Sequence, residues 1–119
     1  MTVSHHRRRL DDLRAATESR ISRLTADYDA LAEAGTDVGS GDDEGGSESD
    51  GTFVERDRIR AQIQEDQELL DQIEAATERS RTKAWRLCTR CSEPIGEARL
   101  EALPTTTVCV SCKASGTSW

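Results

Sequence analysis

The chain has 119 residues, 33% charged, 34% hydrophobic and only 3% aromatic, with a net charge of −7. So few apolar side chains cannot fill a large globular core, which leaves disorder or long solvated helices joined to a small stapled unit. The acidic balance disfavours non-specific attraction to nucleic acid, and no run of about eighteen apolar residues is present to span a membrane.

The first residues, Met-Thr-Val-Ser-His-His-Arg-Arg-Arg, have no apolar core of a signal peptide, which predicts a cytoplasmic protein. His5 and His6 have no carboxylate or cysteine close in sequence and read as surface residues rather than metal ligands. Arg7, Arg8 and Arg9, at the start of a helix, read as a solubility feature rather than a phosphate contact.

From Leu10 the residues Leu10, Leu13, Thr17, Ile21, Leu24, Tyr28 and Leu31 recur at steps of three and four, the spacing of a coiled-coil seam, and predict a helix over about 4–34. The stretch 35–52 is unlike either neighbour. It holds six of the eight glycines and six carboxylates (Asp37, Asp42, Asp43, Glu44, Glu48 and Asp50) with no cation, so it supplies nearly all of the net charge. Two readings stay open for it: a solvated Gly/Ser/Asp linker, or an acidic tip that reaches a metal ion or a basic pocket in a partner. Helix connections usually take about 2–8 residues, so the extra length favours asking what the link does.

A second seam runs through Ile59, Ile63, Asp66, Leu70, Ile73, Thr77, Ser80, Ala84 and Leu87 in strictly alternating steps of four and three, predicting a helix over about 52–85. No proline precedes Pro94. Two helices of matched length with one connection pack most simply as an antiparallel hairpin within one chain, so a monomer is expected before a homodimer. The seam polars Thr17, Asp66, Thr77 and Ser80 weaken such a pair while fixing its register. Trp85 is placed to pack between the helix end and the cysteine-bearing segment.

The four cysteines stand as Cys88-Thr-Arg-Cys91 and Cys109-Val-Ser-Cys112, two C-x-x-C pairs separated by seventeen residues. Each pair wraps one side of a metal ion, and four thiolates complete the tetrahedral shell of one structural Zn²⁺, leaving no position for a catalytic water. Two disulfides would need an oxidising compartment, and a thioredoxin-like motif would need a βαβ pattern that is missing. The serines have no histidine base nearby and there is no phosphate-binding Gly-rich loop, so no enzyme activity and no catalytic residue are predicted.

The segment 87–113 adds to this the run Glu-Pro-Ile-Gly after the first pair, then Arg-Leu-Glu-Ala-x-Pro, then Cys-Val-x-Cys-Lys. Together with both cysteine pairs and their interval, it closely resembles the C4 zinc finger of the DksA/TraR family of bacterial transcription regulators, whose longer members carry a helical hairpin ahead of the finger. The resemblance implies a protein that binds bacterial RNA polymerase, rather than a specific DNA sequence, by inserting the hairpin into the secondary channel. Asp42, Asp43 and Glu44 look like the family's acidic tip, while Arg90, Arg99 and Lys113 are candidate finger contacts to the polymerase. Along the hairpin, Arg56, Arg58 and Arg60, with Arg7 to Arg9, can meet acidic surface, although charged helix faces are usually just solvated. The best-known members carry an Asp-x-x-Asp-x-Ala tip, and no such pattern stands between Gly35 and Thr52. Response to a nucleotide alarmone is carried onto no residue here.

The expected architecture is therefore mostly α: a long antiparallel helical hairpin over 1–86 with its tip at 35–52, a small Cys₄ zinc finger at 87–113, and a short tail at 114–119. Two other functions remain for the same parts, a zinc-stapled coiled-coil adaptor for a different protein partner and a thiol redox sensor.

Overall fold

The computed structural model describes the backbone of residues 1–39 and 46–114 and the side chains of 1–33 and 52–114. Two long helices, α1 (Val3–Gly39) and α2 (Gly46–Arg79), are followed by a 3₁₀ turn at Lys83–Arg86 and two short helices, α3 (Glu97–Ala102) and α4 (Val110–Ala114). The only β pairing among the described residues is an isolated antiparallel bridge between Leu87 and Pro94. None of the described helices is long and apolar enough to cross a membrane.

Both long helices bury the predicted seams. On α1, Leu10 and Thr17 are wholly buried, with Leu13, Ile21, Leu24, Tyr28 and Leu31 half-buried. On α2, Ile59, Asp66 and Ile73 are buried, as is Ser80 just past its end. Polar cross-links report the register. Arg7 Nε donates to Ser80 Oγ at 3.0 Å and Arg14 Nη2 to Thr77 Oγ1 at 3.3 Å; farther along, Arg20 pairs with Asp66 and Arg60 Nη2 donates to the Tyr28 hydroxyl at 3.0 Å. As one partner's number rises the other's falls, which is antiparallel pairing.

The chain divides into two compact units, one formed by Met1–Ala15 with Leu70–Trp119, the other by Ala16–Leu69. In the first, Trp85, Cys88, Ile95, Leu100 and Cys109 form the core of the finger, and Met1, Val3, Val108 and Cys112 pack against it. The second unit is the remaining pair of helical segments. Among its described side chains, Thr17, Ile59 and Asp66 are buried.

Three sequence expectations are corrected here. The connection expected at 35–52 is narrower, because α1 continues to Gly39 and α2 begins at Gly46. Glycine costs a helix only about 1 kcal/mol relative to alanine, and extending a formed helix needs no new nucleus. The residues 40–45, with Asp42, Asp43 and Glu44, lie outside the described residues. At the other end, α2 stops at Arg79 rather than near Trp85. There Ser80 and Thr82 turn their hydroxyls onto the carbonyls of Thr77 and Arg79, at 2.6 and 2.9 Å, the competition by which such side chains end helices. Thr82 Oγ1 then accepts from Ala84 N at 3.2 Å and caps the 3₁₀ turn. Ala84 and Leu87 consequently leave the seam and are exposed.

His6 is the third correction. It is buried, with its ring stacked on Trp85 at a centroid distance of 4.7 Å. Residue 6 precedes Leu10 by four, so extending the seam one step towards the N-terminus reaches it; the polar composition of the first nine residues hid that signal. Its neighbours also do more than dissolve the chain. His5 Nε2 meets Glu101 Oε1 at 2.6 Å and Arg9 Nη2 donates to the Glu101 carbonyl at 2.7 Å, while the α-amino group pairs with Glu97. The start of α1 is thereby fastened to α3.

Candidate metal centre

The two cysteine pairs reach one point from different local structures. Cys88 leaves the bridge at Leu87, and its N–H donates to the Glu93 carbonyl at 2.8 Å, while Ser92 N donates back to the Cys88 carbonyl at 3.0 Å. This tight knuckle places Ser92 at φ 65°. Gly96, at φ 104°, starts α3 in a conformation that side-chain-bearing residues rarely adopt. The second pair lies at the entry to α4, where Lys113 N donates to the Cys109 carbonyl at 3.0 Å. Between the two knuckles, Thr89 N donates to the Thr107 carbonyl at 2.9 Å.

The Sγ atoms of Cys88, Cys91, Cys109 and Cys112 all lie within 4.8 Å of one another. Cys88 and Cys112 are 3.7 Å apart and Cys91 and Cys109 3.8 Å. A tetrahedral ion with Zn–S bonds of about 2.3 Å requires sulfur separations of about 3.8 Å, whereas a disulfide requires about 2.0 Å. The four are free cysteines. Their spacing and donor chemistry fit one structural Zn²⁺ held by Cys88, Cys91, Cys109 and Cys112.

The protonation of the set agrees with that fit. Burial alone would raise the Cys88 thiol, but backbone hydrogen bonds at Cys91, Cys109 and Arg90 bring it down to about 6. Arg90 N lies 3.3 Å from Cys88 Sγ. The Cys112 thiol is pushed up to about 12 by burial and by the neighbouring Cys88, Cys109 and Cys91 sulfurs. Four crowded thiols cannot all ionise against one another's charge, and a bound dication removes that obstacle.

The other candidate residues separate. Arg99 Nε donates to the Val108 carbonyl at 3.0 Å. Arg99 and Lys113 line a groove of about 750 Å³ together with Gln72, Ala76, Arg79 and Leu103. Arg90 is exposed and does not line that groove. Of the arginines on α2, Arg58 is 3.6 Å from Glu55 and Arg60 3.5 Å from Asp57, and Arg56 lies over the Tyr28 and Phe53 rings. Sequence reasoning missed Arg20, Arg79 and Glu101. Arg20 follows the seam residue Thr17 by three, which puts it on the seam's flank, and that spacing was the available signal.

Residues 81–115 match the family described as the prokaryotic dksA/traR C4-type zinc finger. The chain is also similar to the solved structure of transcription factor DksA2 from Pseudomonas aeruginosa, with a TM-score of 0.56 and 25% identity over 90% of this chain and 81% of that one. No curated protein matches the chain. The resemblance read from the cysteine segment thus holds: the finger is of the DksA/TraR C4 type, and the fold is DksA-like.

Proposed function

We propose, from a DksA/TraR-type finger carried on a DksA-like helical pair, that this protein is a transcription regulator that binds bacterial RNA polymerase through the secondary channel and does not read DNA sequence. The observation that carries this reading is the joint match, a C4 finger at 81–115 together with similarity across 90% of the chain to a solved transcription factor. The net charge of −7 supports a protein partner over a nucleic-acid one.

In this reading the zinc unit holds the start of α1 and the end of α2 together and presents Arg90, Arg99 and Lys113 to the polymerase surface, while Asp42, Asp43 and Glu44 approach the catalytic centre. The protein performs no chemistry. It acts as a monomer in the cytoplasm by making different contacts with competing conformations of the polymerase, the one way a bound protein shifts their populations.

The test compares wild type with the Asp42→Ala/Asp43→Ala/Glu44→Ala variant, both zinc-loaded, for binding to purified core polymerase and for initiation at a promoter. Retained binding with lost regulation is expected, making the tip the effector and the remainder the dock. Failure of the wild type to bind core polymerase would move the assignment to a zinc-stapled adaptor for another protein. Formation of a Cys88–Cys112 or Cys91–Cys109 disulfide at cytosolic potential would favour the redox-sensor reading instead.

A further inference from the structure

Two arginines repeat one arrangement at the two halves of the metal centre. Arg79, the last residue of α2, donates from Nη2 to the carbonyl of Leu87 and, at 3.1 Å, to that of Ala84. Arg99, on α3, donates from Nε to the carbonyl of Val108 at 3.0 Å. Leu87 immediately precedes Cys88, and Val108 immediately precedes Cys109. Each guanidinium therefore holds the peptide unit that leads into the first cysteine of a C-x-x-C pair.

At the first knuckle, both ends of that peptide are fixed. The Leu87 carbonyl accepts from Arg79, and the Cys88 N–H donates to the Glu93 carbonyl at 2.8 Å. A planar peptide pinned at its oxygen and its nitrogen leaves the Cys88 side chain little freedom of direction. At the second knuckle, the Val108 carbonyl accepts from Arg99 and from Thr106 Oγ1, the latter at 3.2 Å. A guanidinium also brings a positive charge to the knuckle it holds. A Zn²⁺ with four thiolates carries a net charge of −2, so cations close to both knuckles favour the loaded state over the metal-free thiols.

We infer that Arg79 and Arg99 are positioning residues of the metal centre, one for each cysteine pair, which set the affinity of the finger for zinc. They stand outside the cysteine motif, and Arg79 lies on the long helix rather than in the finger. Zinc affinity is thus coupled to the end of α2, and the finger's fit to the metal depends on a residue that spacing rules for C-x-x-C pairs do not include. The inference rests on geometry around the cysteines and does not depend on which partner the protein binds.

The test uses the full chain with Arg79→Met, Arg99→Met, Arg79→Lys and Arg99→Lys, and Arg81→Met as a charge control, since Arg81 is exposed and only 3.9 Å from Glu78. Zinc affinity is measured by competition with a chromophoric chelator, and cobalt(II)-loaded protein is examined by absorption. Each methionine variant is expected to lose about 10–100-fold in affinity, the range for removing an outer partner of metal ligands, and to shift the cobalt thiolate charge-transfer bands. The lysine variants should recover part of the loss, and Arg81→Met should match wild type. The cobalt spectrum separates this from a plain structural brace, which would lower the melting temperature of the loaded protein while leaving the thiolate charge-transfer bands where wild type has them. Unshifted bands, or methionine variants within about twofold of wild-type affinity, would overturn the inference. Should a methionine variant not fold, its lysine counterpart decides by the same two measurements.

Discussion

The two compact units are held together by different physics. In the unit of the finger and the helix ends, the buried set is dominated by apolar side chains and cysteines: Leu10, Ile73, Ala76, Trp85, Cys88, Ile95, Leu100 and Cys109. Among the described side chains of the unit Ala16–Leu69, the buried set is Thr17, Ile59 and Asp66, two of them polar, while Phe53 and Val54 are more than half exposed. One region is therefore stabilised by apolar burial and a metal, the other by a narrow seam whose centre is an ion pair. Loss of metal should act on the first, and loss of register on the second.

The largest effect expected is metal removal. Structural zinc in comparable small sites contributes about 10–16 kcal/mol, far more than five buried side chains retain after the entropy of ordering them. In a Trp119→Phe background, where emission reports Trp85 alone, chelation at neutral pH should red-shift the fluorescence and open the indole to quencher. The far-UV helical signal, dominated by α1 and α2, should fall much less. A wholly parallel loss of both signals would show that the finger and the helical pair are not separable in this way.

Second comes the ion pair. Arg20 Nε and Nη2 each lie 2.9 Å from an oxygen of Asp66, a bidentate contact in which the Asp66 side chain is 6% exposed and the Arg20 side chain 38%. That bond raises the Arg20 pKa further. The unequal exposure predicts unequal mutants. Arg20→Met strands a buried carboxylate and should cost about 3 kcal/mol, the lower end for breaking a buried pair. Asp66→Ala leaves a guanidinium that reaches water, and about 1 kcal/mol is expected, the typical net worth of a hydrogen bond. Urea unfolding of the two single variants checks the order. Replacing both by leucine should restore stability while loosening the register, since the pair specifies alignment more than it strengthens it.

How much of this was legible in the sequence divides along the same line. Asp66 and Thr17 were readable because both stand on a strict three-four seam, so their burial and register role came from spacing. The cysteine cluster was equally legible, because thiolate pairs at that spacing have few other uses. The end of α2 was not: Ala84 and Leu87 continue the heptad pattern, and only the hydroxyls of Ser80 and Thr82, bonding back to the helix carbonyls, overrule it. His6 and the two knuckle arginines were hidden for a related reason. His6 stands one seam step before Leu10, but the polar residues around it masked that spacing, and the arginines' partners are backbone carbonyls supplied by folding, which leave no periodic trace.

His6 offers the third test, and it bears on the apolar region alone. Burial, and then the charge of His5, hold its pKa below the usual 6.5. The unfolded chain therefore binds the proton first, so the contribution of the His6–Trp85 stack is complete above about pH 6.5 and is lost as pH falls through the depressed folded value. Zinc release on acidification works in the same direction, so the comparison is with His6→Phe, which keeps a ring against Trp85 and removes the titration. Wild type should lose more stability than the variant as the pH falls from neutral to about pH 5. Identical pH profiles of thermal unfolding would assign the whole acid response to the cysteines.

The smallest expected effect has the opposite sign and sharpens the view of the finger as metal-enforced. Ser92 holds φ 65° in the first knuckle, a left-handed conformation that costs an L-residue about 1–2 kcal/mol and glycine almost nothing. Its N–H donates to the Cys88 carbonyl at 3.0 Å, a bond glycine would keep. Against that gain, glycine gives the unfolded chain extra freedom worth about 0.4–1 kcal/mol. Ser92→Gly should therefore stabilise the zinc-loaded protein by about 0.5 kcal/mol, read as a small rise in melting temperature. With chelator present the knuckle has no metal to enforce it, so the left-handed cost is absent and only the entropy of the extra glycine remains. The same substitution should then be neutral or slightly destabilising, and a gain of equal size in both forms would mean that the knuckle is built before the metal arrives.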